Sequence, residues 1–134
     1  MNVDVLQSAL AEYFAPWVQA LGLKVEQFDA DSVTLRLPHS PALTRVGGIL
    51  SGQAMMAAAD TAMALALVNR FDGFRPCTTV QMNTSFLKPL SNQDALVQAR
   101  LLRTGKALAF GEIDIRGADD GKSVSRASAT YALL

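Results

Sequence analysis

Hydrophobic positions along the chain change from helical to strand spacing and back, and their order predicts one long helix and one sheet. From Val3 to about Leu21, apolar residues recur three or four residues apart, which predicts an amphipathic helix. Pro16 is expected to bend or restart this helix, and Gly22 to end it. Lys24 to Phe28 and Ser32 to Leu37 predict strands, because apolar and polar residues alternate in the second segment.

The segment from Ser51 to Asn69 predicts a helix that has no polar face. Seven of its residues are alanine, three are methionine, and Asp60 is its only charged residue. A helix that is apolar on every side is surrounded by protein, and alanine lets neighbouring backbone come close. Its apolar run, Ala54 to Val68, is shorter than the roughly 20 residues that a bilayer requires. We therefore expect a central helix wrapped by a sheet.

Four further strand-like segments complete the chain and give an α+β fold. They are Pro76 to Leu87, Ala95 to Arg103, Ala107 to Arg116 and Ser123 to Leu133. Short turns at residues 104–106 and 118–121 predict hairpins, so a long antiparallel meander is expected. Residues 1–134 are interpreted as one domain.

Composition narrows the classes of function. Half of the 134 residues are hydrophobic, and 12 basic residues balance 12 acidic ones, which argues against a nucleic-acid or anionic-membrane partner. A net charge near zero favours self-association. The single cysteine and single histidine exclude an internal disulfide and a multi-histidine metal site. The N-terminal residues lack the pattern of a signal peptide, so a cytoplasmic protein is expected.

Asp60 is the strongest candidate for chemistry. An ionised carboxylate within an apolar helix is costly unless it is paired or borders a pocket. Such carboxylates are enriched at functional sites, although a hydrogen bond to a strand or a place at a subunit seam would also explain this one.

The glycine-rich segment from Arg45 to Gly52 is the second candidate. Gly48 and its neighbours allow close approach of the backbone, and Ser51 and Gly52 lie where the helix begins. The first-turn amides of a helix lack intrahelical partners and are suited to a developing oxyanion. The alternative is structural, with Ser51 capping the helix and the glycines forming a turn.

The spacing of these two candidates limits how they can act together. Gly52 and Asp60 are eight residues apart, which is about 12 Å along one helix. They can therefore act on one carbonyl group only if they come from different subunits, with helices facing across a two-fold axis.

Arg45 through Asp60, together with Thr78 through Pro89, resembles the hotdog-fold thioesterases, and within them the phenylacetic-acid-degradation (PaaI-type) group. The usual pattern of that group is an asparagine, then His-Gly-Gly opening the central helix, then an aspartate. Here Ser51 stands at the histidine position, Gly52 and Gln53 at the two glycines, and Asp60 at the aspartate. The resemblance extends over roughly Val25 to Leu133.

The resemblance implies hydrolysis of acyl-CoA thioesters by a homodimer or homotetramer, without a cofactor or metal, since coenzyme A is part of the substrate. Asp60 would activate water or attack the carbonyl directly, Gly52 of the other subunit would polarise the carbonyl oxygen, and Thr79 would support the water. Ser51 belongs to the same catalytic segment. The residues implied to contact substrate are Arg45, Gly48, Gln53, Lys88, Arg103 and Lys106. The last three, together with Arg116, could meet the coenzyme A phosphates, although each could also be a solvated surface charge.

Two departures from the family pattern leave an alternative open. Arg45 replaces the asparagine and Ser51 replaces the histidine. The alternative is a catalytically weak protein of the same fold that binds an acyl group or coenzyme A. His39 is expected to be an exposed loop residue, and Cys77 a buried structural thiol, because no basic residue near it in sequence would activate it.

Overall fold

The computed structural model of the protein describes residues Met1–Leu134 and contains three helices and eight strands. The helices are α1 (Val3–Glu12), α2 (Pro16–Gln19) and α3 (Gly52–Arg70). The strands are β1 (Lys24–Phe28), β2 (Ser32–Leu37), β3 (Thr44–Arg45), β4 (Ile49–Leu50), β5 (Cys77–Phe86), β6 (Ala95–Thr104), β7 (Leu108–Gly117) and β8 (Ser123–Leu133). A short 3-10 helix, Pro41–Leu43, precedes β3.

The six long strands form one antiparallel sheet in the order β1-β2-β6-β7-β8-β5. The predicted strands are confirmed to within one or two residues, but the predicted meander is correct only for β6, β7 and β8. β5 does not pair with β6, its neighbour in sequence; it pairs with β8 at the edge of the sheet. The reason is that α3 packs across the sheet, so that the chain leaving the helix enters the sheet beyond β8.

Helix α3 lies against the inner face of the sheet, which confirms the predicted central helix. It contacts β2, β5, β6, β7 and β8, and 11 of its 19 residues are buried. The hydrophobic core contains 32 residues, most of them from the helices and from the inner face of the sheet, with a few from the connections and from β4. A long helix wrapped by an antiparallel sheet is the hotdog architecture that the resemblance implied.

The expected N-terminal helix is divided in two. α1 ends at Glu12, and Pro16 opens α2, because proline is favoured in the first turn of a helix. Gly22 follows with a φ of +72°, so the chain turns where glycine was expected to end the helix. Gln7 of α1 ties the helix to β1, since its side chain donates to the Leu23 carbonyl and accepts from the Val25 amide.

Met63 of α3 packs directly against the backbone of β7 at Gly111. A Cβ atom added there would lie 2.9 Å from Met63 Cε and 3.0 Å from the Arg100 carbonyl oxygen. Met63 is completely buried, so it has little room to move aside. The absence of a side chain at Gly111 therefore sets how closely the helix packs on the sheet.

We predict that Gly111→Ala lowers the free energy of unfolding by about 1–3 kcal/mol, because the added methyl group overpacks the core. Urea denaturation measures the change. Met63→Ala removes the side chain that the new methyl group meets, so the double variant should lose less stability than the sum of the two single changes. A Gly111→Ala protein within about 0.5 kcal/mol of the parent would contradict this packing.

Candidate active site

Helix α3 begins with a cap that the sequence predicted. Ser51 Oγ accepts a hydrogen bond of 3.2 Å from the Ala54 amide, so the structural interpretation of Ser51 is confirmed. The Gly52 amide, by contrast, donates no hydrogen bond within the chain. It is one of the free first-turn donors that lie at the positive end of the helix dipole.

Asp60 lies in the middle of α3 and faces β5 and β8. Its Oδ1 accepts a hydrogen bond of 2.9 Å from the Thr79 hydroxyl and one of 2.5 Å from the Tyr131 hydroxyl. The Tyr131 oxygen also lies 2.9 Å from the main-chain carbonyl oxygen of Asp60. Two hydroxyl groups therefore fix one carboxylate oxygen, while Oδ2 accepts no hydrogen bond within the chain.

The register of the sheet brings these two hydroxyl groups together. Thr79 of β5 and Tyr131 of β8 are direct cross-strand partners, and a bulge follows Thr79 in β5. Partners at one register position point to the same face of a sheet, so both side chains reach α3. The structure thus places the Thr79 hydroxyl on Asp60, while the expected role of Thr79 in supporting a water stays a prediction.

Tyr131 is a site residue that the sequence analysis missed. Its side chain is buried, and burial is the main cause that raises its pKa well above the usual value for tyrosine. The hydrogen bond to Asp60 and the negative charge of Asp60 raise the pKa further. The phenol therefore remains protonated and keeps its hydrogen to donate. Its inward position was readable from the alternation in β8, but its partner depends on the β5–β8 pairing, which was not predicted.

The start of α3 borders a groove of about 420 Å³. Gly52 lines it against the ring of Phe86, and a Cβ at Gly52 would lie 3.3 Å from that ring. Arg45 and Lys88 line the same groove and are its only charged residues. Both are exposed, so the groove presents two positive charges beside the free amide of Gly52.

Gly52 and Asp60 do not meet within one chain. Gly52 lies by Phe86, at the end of β5, whereas Asp60 contacts Thr79 near its beginning. Their separation along α3 is about 12 Å, as the sequence spacing implied.

The other predicted substrate contacts lie in different places. Gly48 has a φ of +73° in the turn between β3 and β4, and Gln53 is exposed at the start of α3. Arg103 and Lys106 belong to the β6–β7 hairpin, beside the end of β8 where β5 begins. Lys88 follows the end of β5, and Arg116 lies near the end of β7, so one chain does not bring the four cations expected to meet phosphates into a single cluster.

The remaining candidates are not arranged for catalysis. His39 is exposed, as predicted, and its main-chain amide donates to Asp94. Cys77 is half-buried, and burial raises the pKa of its thiol, with the charge of Asp60 adding to the effect. No three His, Cys, Asp or Glu side chains come together in an arrangement that could hold a metal ion. None of the helices has the length and apolar character needed to cross a membrane.

A pocket of about 240 Å³ is lined by Thr79 and Tyr131, the two residues that donate hydrogen bonds to Asp60. Eight of its 11 lining residues are hydrophobic, and Asp60 itself is not among the 11. The arrangement therefore combines an oriented carboxylate that has one free oxygen with an apolar space bordered by its two hydrogen-bond donors. Such a carboxylate can take a proton from water or attack an electrophilic carbon.

Comparisons with known proteins find one family model and several proteins that are named as esterases or thioesterases. The model of the thioesterase superfamily matches residues 47–124 of the chain. A Thermoplasma acidophilum protein named "putative esterase" is 26% identical over 116 residues, which are 86% of this chain and 86% of that protein. A crystallised protein from Silicibacter, named as a "putative thioesterase", is 27% identical with a TM-score of 0.90, over 100% of this chain and 92% of the other.

A Pseudomonas aeruginosa thioesterase shares the same fold. It superimposes with a TM-score of 0.88 at 24% identity, over 100% of this chain and 94% of the other. These matches do not distinguish the PaaI-type group, so assignment to that group stays a prediction.

We predict that Tyr131 does not ionise in the folded protein where tyrosine ordinarily does, near pH 10. The chain has two tyrosines, so Tyr13→Phe leaves Tyr131 as the only source of phenolate absorbance. At about pH 11 this variant should show no phenolate while folded and full phenolate once denaturant is added.

The same shift makes stability depend on pH. Because the folded pKa is raised, this contribution is fully present below about pH 10 and decreases above it, by up to about 1.4 kcal/mol per pH unit. The free energy of unfolding of Tyr131→Phe should therefore decrease less steeply above about pH 10 than that of the parent protein. Half-ionisation of Tyr131 near pH 10 in the folded Tyr13→Phe protein would contradict the buried hydrogen bond.

Proposed function

We propose that this chain, which belongs to the thioesterase superfamily, hydrolyses acyl-CoA thioesters with Asp60 as the reacting group. The observation that carries the proposal is the geometry of Asp60. Thr79 and Tyr131 hold one carboxylate oxygen at 2.9 and 2.5 Å and also line an apolar pocket, and the other oxygen is left without a partner.

Asp60 is positioned to serve as a general base on water. Oδ2 takes a proton from the water, whose oxygen attacks the thioester carbonyl carbon, and the carbonyl electron pair moves onto its oxygen. The C–S bond then breaks, and the thiolate receives the proton that Asp60 had taken. The products are a carboxylic acid and the thiol of coenzyme A. Direct attack by Oδ2 on the same carbon would use the same geometry: the O–C bond forms, the C–S bond breaks, and the thiolate leaves behind a mixed anhydride on Asp60. Water then hydrolyses the anhydride, which frees the acid and the Asp60 carboxylate, and the proton released goes to the thiolate.

The oxyanion needs a donor that one chain does not supply next to its own Asp60. The Gly52 amide has no acceptor within the chain and lies at the positive end of α3. Since Gly52 is about 12 Å from Asp60 along the helix, we assign this role to Gly52 of a second copy. Each active site would then contain Asp60, Thr79 and Tyr131 from one copy and Gly52 from the other.

Exposed surface next to α3 supports this pairing of copies. β5 is an edge strand of ten residues, and an exposed edge offers unpaired amides and carbonyls to another strand. Val80, Phe86 and Leu87 are each at least half exposed along or just beyond it. Met56 of α3 is also exposed, although the sequence indicated a helix surrounded by protein. A second copy paired along β5 would cover this surface.

The groove at the start of α3 suits the coenzyme A part of the substrate. Arg45 and Lys88 line it with Gly52, and neither forms an ion pair within the chain. Guanidinium and ammonium groups bind phosphate oxygens through charge-assisted hydrogen bonds. Gly48 and Gln53 lie on the segments flanking Gly52 and are proposed to contact the coenzyme A part of the substrate as well. Arg103 and Lys106 would contact coenzyme A only in an assembly in which a second copy brings them to this groove.

We predict that Asp60→Asn lowers kcat for acyl-CoA hydrolysis by at least about 100-fold, since the amide keeps the shape but cannot take a proton or attack the carbonyl. Asp119→Asn provides the matched control, because it makes the same change at an exposed hairpin residue and should leave kcat unchanged. Thiol release from aryl- and fatty-acyl-CoA substrates measures the rate. Hydrolysis by Asp60→Asn at close to the parental rate would refute the role of Asp60.

The same substrates decide between the enzyme and a catalytically weak binding protein. A binding protein would retain acyl-CoA while the parent and Asp60→Asn release thiol equally slowly. If the protein is an enzyme, the parent must release thiol much faster than Asp60→Asn does.

A further inference from the structure

The pocket beside Asp60 contains a cation that the hydrolytic chemistry does not use. Arg75, in the connection between α3 and β5, is the only charged residue that lines this pocket. The walls near it are largely apolar and aromatic, and include Tyr13, Phe14 and Phe74. Arg75 is half-buried among these residues and loses part of its hydration, so an anion that entered the pocket would find a cation only partly solvated by water.

Arg75 is held in place without an acidic partner. Its guanidinium carbon lies 4.7 Å from the centre of the Phe71 ring, and one nitrogen donates to the Lys106 carbonyl at 3.3 Å. It forms no ion pair within the chain. The side chain is half-buried, so these two contacts fix it while most of its five N–H donors stay available.

Thr79 and Tyr131, the two residues that hold the Asp60 carboxylate, line one part of this pocket, and Arg75 lines another. Ala64 and Leu67, one and two turns beyond Asp60 on α3, also line it. Cys77, also in the lining, is affected by both charges. Burial is the main cause that raises the pKa of its thiol, Asp60 raises it further, and Arg75 opposes the increase.

We propose that this pocket binds an acyl group whose far end carries a carboxylate, and that Arg75 recognises that carboxylate. The inference rests on the proposed function, because it requires the thioester carbonyl to lie at Asp60. The planar guanidinium matches a carboxylate through paired hydrogen bonds, and an anion arriving from the substrate supplies the partner that the chain lacks. Hydrolysis of such a thioester would release a dicarboxylic acid.

The size of the pocket favours a short acyl group. Its volume of about 240 Å³ lies below the roughly 300–1,000 Å³ of typical small-molecule sites. Short dicarboxylic acyl groups such as glutaryl and adipoyl are therefore the appropriate probes.

The test compares glutaryl-CoA with 5-methylhexanoyl-CoA, which has the same shape but carries an isopropyl group in place of the carboxylate. The parent protein should hydrolyse glutaryl-CoA with the higher kcat/KM. Arg75→Met should lower kcat/KM for glutaryl-CoA by about 10–100-fold, the usual range for losing a charge-assisted hydrogen bond. It should change the value for 5-methylhexanoyl-CoA by less than about three-fold, since that substrate has no carboxylate to lose contact with.

Two further variants distinguish the loss of the positive charge from a general effect on folding. Arg75→Lys keeps the positive charge and should retain part of the preference for glutaryl-CoA. Arg70→Met removes an exposed arginine at the end of α3, outside the pocket, and should affect neither substrate. Urea denaturation of each variant shows that the comparison is made between folded proteins.

A third substrate distinguishes the acyl carboxylate from the phosphates of coenzyme A. The glutaryl thioester of N-acetylcysteamine has the carboxylate but no phosphate, so Arg75→Met should lower its kcat/KM by the same factor. If the loss occurs only with CoA thioesters, Arg75 binds phosphate and the inference is wrong.

The inference and the proposed function fail in different ways. If the parent hydrolyses 5-methylhexanoyl-CoA at least as well as glutaryl-CoA, and Arg75→Met affects the two equally, the assignment of Arg75 is overturned while thioester hydrolysis stands. If the parent hydrolyses no thioester in the panel, the proposed function itself fails.

Discussion

The structure depends on placing one carboxylate within an apolar helix. Asp60 is the only charged residue of α3 before its last turn, and the helix packs against the inner face of the sheet. A carboxylate there is tolerable only if hydrogen bonds replace its lost water. Thr79 and Tyr131 supply two of these, and the deep burial of Tyr131 keeps its hydroxyl protonated. The two hydrogen bonds thus stabilise the carboxylate at Oδ1, and Oδ2 stays available to react.

The order of strands in the sheet brings both hydrogen-bond donors to Asp60. β5 crosses to the far edge and pairs with β8, which places Thr79 opposite Tyr131. The same crossing leaves β5 as an exposed edge next to α3, where a second copy is proposed to pair. One topological choice therefore positions the donors to Asp60 and also creates the surface through which Gly52 of another copy would complete the site.

Much of the local structure was predictable from sequence, because it depends on periodicity and capping. The length of α3, its Ser51 cap and the bounds of β1, β2 and β8 follow from hydrophobic spacing and turn residues. Contacts between distant segments were less accessible, since alternation shows which face Tyr131 occupies but not which strand lies beside it. For the same reason, Arg103 and Lys106 were grouped with Lys88, and Arg75 was overlooked. Its significance comes from the pocket that the packed elements enclose.

The most direct test of the account mixes two inactive chains, one carrying Gly52→Val and the other Asp60→Ala. Each variant alone should be nearly inactive, because every proposed site takes one group from each copy. After co-refolding of equal amounts, about half of the dimers are mixed, and one of the two sites in each is intact. The account predicts recovery of roughly a quarter of the parental activity, once both variants are shown to fold. Verified mixed dimers as inactive as their parents would contradict a site shared between Gly52 and Asp60.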